Sequence, residues 1–133
     1  MAQTFKFELV SPERLLVSAE VESVMAPASE GDMTVMANHA PVMTAVRPGV
    51  VSVRTAAGRE DRYVVFGGFA DVTPTSFTLL AEQATPVADI DRAALSRRIQ
   101  DAREDLADAS GDERRQQAGE RLDQLLILEK AVG

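Results

Sequence analysis

A chain of 133 residues with 45% hydrophobic but only 5% aromatic residues, and with neither Trp nor Cys, must build its core from Val, Leu, Ile, Ala and Met. Its net charge of −7 and pI near 4.7 set it against phosphate backbones and anionic lipid, which disfavours nucleic acid and direct membrane binding. Without cysteine, disulfides, thiolate catalysis and Cys-based zinc sites are excluded, and the length fits one domain or a small domain with an appendage.

The N-terminal stretch Met1-Ala2-Gln3-Thr4-Phe5-Lys6 carries no basic-then-apolar signal and no Arg-rich presequence, so a cytosolic protein translated in its final compartment is expected. Phe5, Phe7 and Leu9 alternate with Lys6, Glu8 and Val10 in the period-two pattern of a strand with one wet face. Val21, Ser23 and Met25 oppose Glu22 and Val24. Further β-rich runs follow at residues 33–36, 50–55, 62–66 and 77–81. They are punctuated by Glu30-Gly31-Asp32, Pro48-Gly49, Ala57-Gly58 and Thr73-Pro74-Thr75-Ser76, all strong turn formers. Short strands at this spacing predict a sandwich or barrel, with a hairpin around Gly58. Strand parity places Met33, Met36 and Met43 in its core. Gly67-Gly68 lacks the lysine and spacing of a phosphate loop and reads as a bulge or a close approach of another backbone. The longest apolar stretch, Tyr63 to Ala70, is far below the roughly 20 residues of a membrane helix.

Composition changes at Pro86. Beyond it there is no Pro, Phe, Tyr or Met, and the stretch from Asp89 onward packs 8 basic and 11 acidic residues among Ala and Leu. That is helical composition. Residues 1–87 are expected to form the β-sandwich domain and residues 88–133 a helical hairpin. Asp89 or Asp91 is positioned to cap the first helix, and Leu95, Ile99, Ala102 and Leu106 share one face. Ser110-Gly111-Asp112 breaks the pattern. A second helix from about Asp112 to Lys130 lines up Ala118, Leu122, Leu125 and Leu126, with Gly119 costing about 1 kcal/mol against Ala. The apolar faces are thin, so the hairpin is expected to be marginal alone.

Chemistry is sparse. The single histidine, His39, has no second His or Cys to complete a metal site, and no Gly-x-Ser-x-Gly elbow is present; a structural or interface role is favoured over catalysis. No metal and no cofactor is expected. The hairpin's charges read as a solvated helix face. An acidic β-sandwich with a charged hairpin has the shape of an interaction module. Rival readings are a peptide- or carbohydrate-binding sandwich, which has few aromatics to offer, and a small hydrolase built on His39, which lacks partner residues.

The ordered string Ser29-Glu30-Gly31-Asp32-Met33-Thr34-Val35-Met36-Ala37-Asn38-His39-Ala40-Pro41, with its continuation Val46-Arg47-Pro48-Gly49, resembles the signature of the epsilon subunit family of bacterial F-type ATP synthases. Phe7-Glu8-Leu9-Val10-Ser11-Pro12-Glu13-Arg14, Gly67-Gly68-Phe69 and Phe77-Thr78-Leu79-Leu80-Ala81-Glu82 fit as well, so the resemblance covers essentially the whole chain. It implies an α+β fold: a β-sandwich of about ten strands followed by an antiparallel two-helix hairpin. It implies a non-catalytic rotor subunit of the central stalk that couples the gamma subunit to the c ring beneath the catalytic alpha/beta head. Its place would be peripheral, on the cytoplasmic side of the cell inner membrane. Glu30, Gly31 and Asp32 would then face the polar loops of the c ring, with His39 near the same junction. Some members bind ATP on the hairpin through an Ile/Leu-Asp-x-x-Arg-Ala motif, and the hairpin can block ATP hydrolysis. Ile90-Asp91 matches the start of that motif, but Ala94 and Leu95 stand where Arg and Ala belong.

Overall fold

Phe5, Phe7 and Leu9 are buried while Lys6 is exposed, so the alternation of the first segment becomes a strand with one face in the core. The computed structural model describes residues 3–132; Met1 and Ala2, part of the stretch read above for a targeting signal, and Gly133 lie outside them. The β elements are β1 (Phe5–Val10), β2 (Leu15–Ala28), β3 (Gly31–Met36), β4 (Val42–Val46), β5 (Gly49–Thr55), β6 (Glu60–Val65), β7 (Gly68–Val72), β8 (Ser76–Ala81) and β9 (Ala84–Pro86). A short 3-10 turn, Val87–Asp89, precedes α1 (Arg92–Asp108) and α2 (Asp112–Val132).

The strands connect in the order β1-β8-β7-β4-β2-β5-β6-β9, with β3 added to β2 and β1 also paired to β2. The 14-residue β2 is the shared element: β1 pairs with its first half, β3 and β5 with its second. β1 and β8 are parallel, and their register sets Phe7 beside Phe77, with ring centroids 5.7 Å apart. Such a tilted aromatic pair adds about 0.5–1.5 kcal/mol beyond the area it buries. Around it Leu9, Val21, Val24, Val35, Val51, Val72 and Leu79 close the core.

Nine strands stand among the described residues, against about ten expected. β4, β7, β9 and the first half of β2 were not separately legible. In β4, Met43 and Ala45 are apolar yet exposed, which erases the alternation of Val42-Met43-Thr44-Ala45-Val46. The methionines need a correction. Met33 is half-buried against the core, but Met36 is 63% and Met43 72% exposed, because both sit on the outward parity of their strands.

The chain divides into two compact units, one ending at Pro86 and the other beginning at Val87. In the second, Asp91 caps α1: its Oδ1 accepts from the backbone N–H of Ala93 (3.0 Å) and Ala94 (3.1 Å). Leu95, Ile99 and Ala102 of α1 pack with Leu125 and Val132 of α2, joined by Val87, Ile90, Leu122, Leu126 and Leu128. Gly111, at φ 86°, makes the connection between the helices. Beside that connection the seam changes character. A hollow of about 450 Å³ is lined by Asp105, Asp108, Arg114, Gln117 and Arg121 with small alanines. α2 runs on to Val132, two residues past the expected Lys130. No described helix is long and apolar enough to cross a membrane.

Candidate functional site

The acidic turn is a two-residue hairpin loop, Ser29-Glu30, closed by the Ala28–Gly31 pair of β2 and β3. Gly31 takes φ 137°, a backbone conformation that side-chain-bearing residues rarely adopt, and strand alternation after it puts Asp32 on the outward face. The turn is tied down by its neighbours. The Ser29 N–H donates to Ala45 O (3.0 Å), and Ser29 Oγ lies 3.4 Å from Thr44 Oγ1. Arg47 Nε donates to Ala28 O at 2.7 Å. Its other guanidinium arm reaches Asp32 Oδ1 at 3.4 Å, with both side chains at least half exposed, so water screens that pair to a small net value. Two carboxylates thus project from a hydrogen-bonded backbone, Asp32 beside the Arg47 guanidinium and Glu30 with no salt-bridge partner among the described residues. They border an open cleft of about 600 Å³ lined by Met33, Met43 and Thr44 as well.

His39 does not join this turn. It lies beyond the far end of β3: at about 3.3 Å per residue Asp32 and Met36 are roughly 13 Å apart along the strand, and a turn at Ala37-Asn38 then precedes His39. Its Nδ1 is 2.7 Å from Ala40 O. Asn38 before it adopts φ 66° and donates its backbone N–H to Pro74 O at 2.8 Å. Asp32 and His39 thus stand toward opposite ends of β3.

Ile90 and Asp91 each have a task in the hairpin. Ile90 packs into the apolar cluster, and the Asp91 carboxylate is engaged by two backbone N–H groups. Ala94, one turn later, is half-buried and brings no cation.

A second surface went unrecognised in the sequence. Cross-strand pairs place Ala45 beside Phe69, Phe69 beside Leu80, Leu80 beside Val10, and Val10 beside Leu15. These five residues form one apolar stripe across β4, β7, β8, β1 and β2. Phe69 is 57%, Leu80 54% and Leu15 52% exposed, and Met43 flanks the stripe on β4. Its signal was present: Leu79-Leu80 and Leu15-Leu16 are adjacent apolar pairs in period-two segments, and one member of each must face outward. A contiguous exposed apolar patch of this kind marks an interaction surface.

A nine-stranded β unit followed by an antiparallel helix pair, carrying exposed apolar and acidic surfaces, defines the class to which the comparisons also lead. The sequence model described as "ATP synthase, Delta/Epsilon chain, beta-sandwich domain" matches residues 4–87. A protein of Mesorhizobium japonicum named "ATP synthase epsilon chain" is 64% identical over 132 residues, covering 99% of this chain and 98% of that one. A protein of the same name from Sinorhizobium medicae is 62% identical over 114 residues, 86% of this chain and 85% of its own. The chain belongs to the ATP synthase epsilon chain family. Among solved structures, a chain of the Euglena gracilis mitochondrial ATP synthase assembly superposes with a TM-score of 0.84 at 26% identity, covering 98% of this chain and 82% of that chain. A chain of the Tetrahymena thermophila mitochondrial assembly shares the fold, with a TM-score of 0.62 at 11% identity over 99% of this chain and 98% of its own.

Proposed function

We propose that this chain is a non-catalytic rotor subunit of an F-type proton-translocating ATP synthase, standing in the central stalk between the gamma subunit and the c ring. The observation that carries the reading is the apolar stripe Ala45-Phe69-Leu80-Val10-Leu15, a ready docking face on a rigid sheet. Covering Phe69, Leu80 and Leu15, each about half exposed, is worth about 1 kcal/mol apiece. The full-length relatives that share the epsilon-chain name support it, as does the Euglena neighbour, whose assembly is described as containing F1 and the c ring. The gamma subunit takes the stripe in this reading. Glu30, Gly31 and Asp32 form a separate acidic contact for basic loops of the c ring, where charge governs orientation more than affinity. His39, at the other end of β3, is assigned to the partner interface as an independent contact.

The chain then sits at the cytoplasmic side of the cell inner membrane through the complex alone. The hairpin, facing the catalytic alpha/beta head, is assigned a regulatory role in ATP hydrolysis. Ile90 and Asp91 serve packing and capping, and nucleotide binding there is weak or lost.

A tagged chain purified from detergent-solubilised membranes is expected to bring down the large ATPase subunits, and Phe69→Asp, which leaves the core untouched, is expected to lose most of them. Recovery of the unmodified chain alone would overturn the reading.

A further inference from the structure

β3 pairs with β2 along one side, and no described residue pairs with its other side. Which of its backbone groups stand open follows from the hairpin geometry. The Arg47 N–H donates to Pro27 O at 2.7 Å and the Ser29 N–H to Ala45 O at 3.0 Å, so residues 27 and 29 turn their backbone toward β4. By alternation, Val24, Ala26 and Ala28 turn theirs toward β3, where they meet Val35, Met33 and Gly31. Asp32, Thr34 and Met36 are left with N–H and C=O directed away from β2, and the side chains of all three are exposed.

An open edge of this kind is usually blunted by charged side chains, above all lysine, or by proline, a bulge or extreme shortness, because it is a template for another strand. β9 has three residues and ends in Pro86. β3 has six residues, Gly31-Asp32-Met33-Thr34-Val35-Met36, with no proline, no lysine and an unbroken register, and its one charge, Asp32, sits at its start and leaves Thr34 and Met36 unguarded. Its ends are fixed, one by the Ser29–Ala45 bond and the other by the Asn38–Pro74 bond. A rigid, unprotected edge costs little ordering entropy when a second chain adds to it. The chemistry along it is graded. At the start, Glu30 and Asp32 have only the exposed Arg47 as counter-charge, at 3.4 Å from Asp32. Toward the end, Met36 and Met25, on the same outward face, offer adaptable apolar contact.

We propose that β3 is an acceptor edge. An extended segment of a partner subunit adds to it as a further strand, with a Lys or Arg at the Glu30–Asp32 end and apolar side chains toward Met36. The inference rests on the reading of the chain as an ATP synthase subunit and specifies how one neighbour is held.

Thr34→Pro tests it. The Thr34 N–H points outward, so proline removes a donor to the incoming strand without removing a bond to β2, and proline is tolerated on an edge. Thr34→Val keeps the N–H and serves as control. Binding of the purified full chain to ATP synthase depleted of this subunit is expected to weaken about tenfold for Thr34→Pro and to be unchanged for Thr34→Val. Undiminished binding of a folded Thr34→Pro chain would overturn strand addition, whereas failure of the unmodified chain to bind would overturn the subunit reading itself. Hydrogen exchange on the unmodified chain gives a second arm that does not depend on the variant folding. The Thr34 and Met36 amides are expected to exchange freely in the isolated chain and to slow at least about tenfold in the complex. Absence of slowing refutes the proposal. So does a concentration-dependent dimer in sedimentation that Thr34→Pro abolishes, since the edge would then belong to a second copy of this chain.

Discussion

Gly68 is the position where the smallest substitution should do the most damage. It opens β7 at φ 154° and is paired on both sides, with Val46 of β4 and Ala81 of β8. A Cβ built there would collide with the main-chain carbonyl oxygen of Leu80 and lie 3.0 Å from Ala81 Cα. Neither obstacle is the end of a flexible side chain, so β7 and β8 must separate locally. The backbone conformation alone costs about 1–3 kcal/mol for a non-glycine residue. Overpacking a close-packed contact adds about 1–3 kcal/mol. Gly68→Ala should therefore destabilise the β unit by about 2–6 kcal/mol. Gly58→Ala provides the comparison: φ there is 83°, but nothing lies within 4 Å of the added carbon, so only a conformational cost of about 1–2 kcal/mol applies. At about 4–8 °C per kcal/mol for a domain of this size, Gly68→Ala should lower Tm by at least about 8 °C and by more than Gly58→Ala, for which roughly 4–16 °C is expected. Thermal denaturation followed by the β circular-dichroism signal reads the difference. Equal shifts for the two variants would refute the claim that close approach of Leu80 dictates glycine at position 68.

The remaining expectations address the other elements. Asp91→Ala should cost about 1 kcal/mol by freeing the Ala93 and Ala94 N–H groups, visible as an earlier loss of helical signal on heating; an unchanged helical melt would refute the cap. Asp32→Lys should leave Tm within the change expected of about 0.5 kcal/mol, because Arg47 still holds Ala28 O, while attachment to the membrane sector falls. Equal binding in reconstitution would count against the acidic turn as a contact. A chain ending at Ala88 should melt cooperatively with β circular dichroism, since the core of Phe7, Phe77, Leu9 and Leu79 lies wholly before Pro86; an aggregated product would show that the β unit needs the hairpin. MgATP titrated calorimetrically into the isolated chain should bind weakly or not at all. Asp91 is committed to its cap and Ala94 supplies no cation, and a lost charge-assisted contact costs about 1.5–3 kcal/mol. A low-micromolar dissociation constant would mean that Arg97 or Arg98 has taken over.

What the sequence displayed well was periodicity backed by chemistry that admits one solution. Asp91 ahead of an Ala-Leu run, Gly111 between two helical stretches, and Phe5-x-Phe7-x-Leu9 each meet their structural roles directly. What it hid was pairing. Nothing in Val42-Met43-Thr44-Ala45-Val46 announces that β4 lies beside β7, and although Gly67-Gly68 signalled a close backbone approach, nothing named β8 as the strand that makes it, because those contacts join residues far apart in the chain. The distance between Asp32 and His39 was hidden for a related reason. Their closeness was inferred from neighbouring loops, and only the extension of β3 as a full strand sets them at opposite ends.

The misplaced methionines point to a more general relation between pattern and surface. Parity reasoning assumes that apolar residues face inward, and it assigned Met36 and Met43 to the core on that ground. Apolar residues on an outer face are ordinary when scattered singly; it is a contiguous run of them that points to something other than water. Met43, Phe69, Leu80, Val10 and Leu15 all interrupt the alternation of their strands, and the register then collects them on one exposed side. Random interruptions would scatter over all the strands and leave isolated exposed side chains, which need no explanation. Here four successive cross-strand pairs link Ala45, Phe69, Leu80, Val10 and Leu15 without a gap, and Met43 lies two residues along β4 from Ala45. That contiguity supports the proposed docking face, whereas Met36, on β3, stands apart from it. On that argument, charging Phe69 should disturb assembly far more than it disturbs folding.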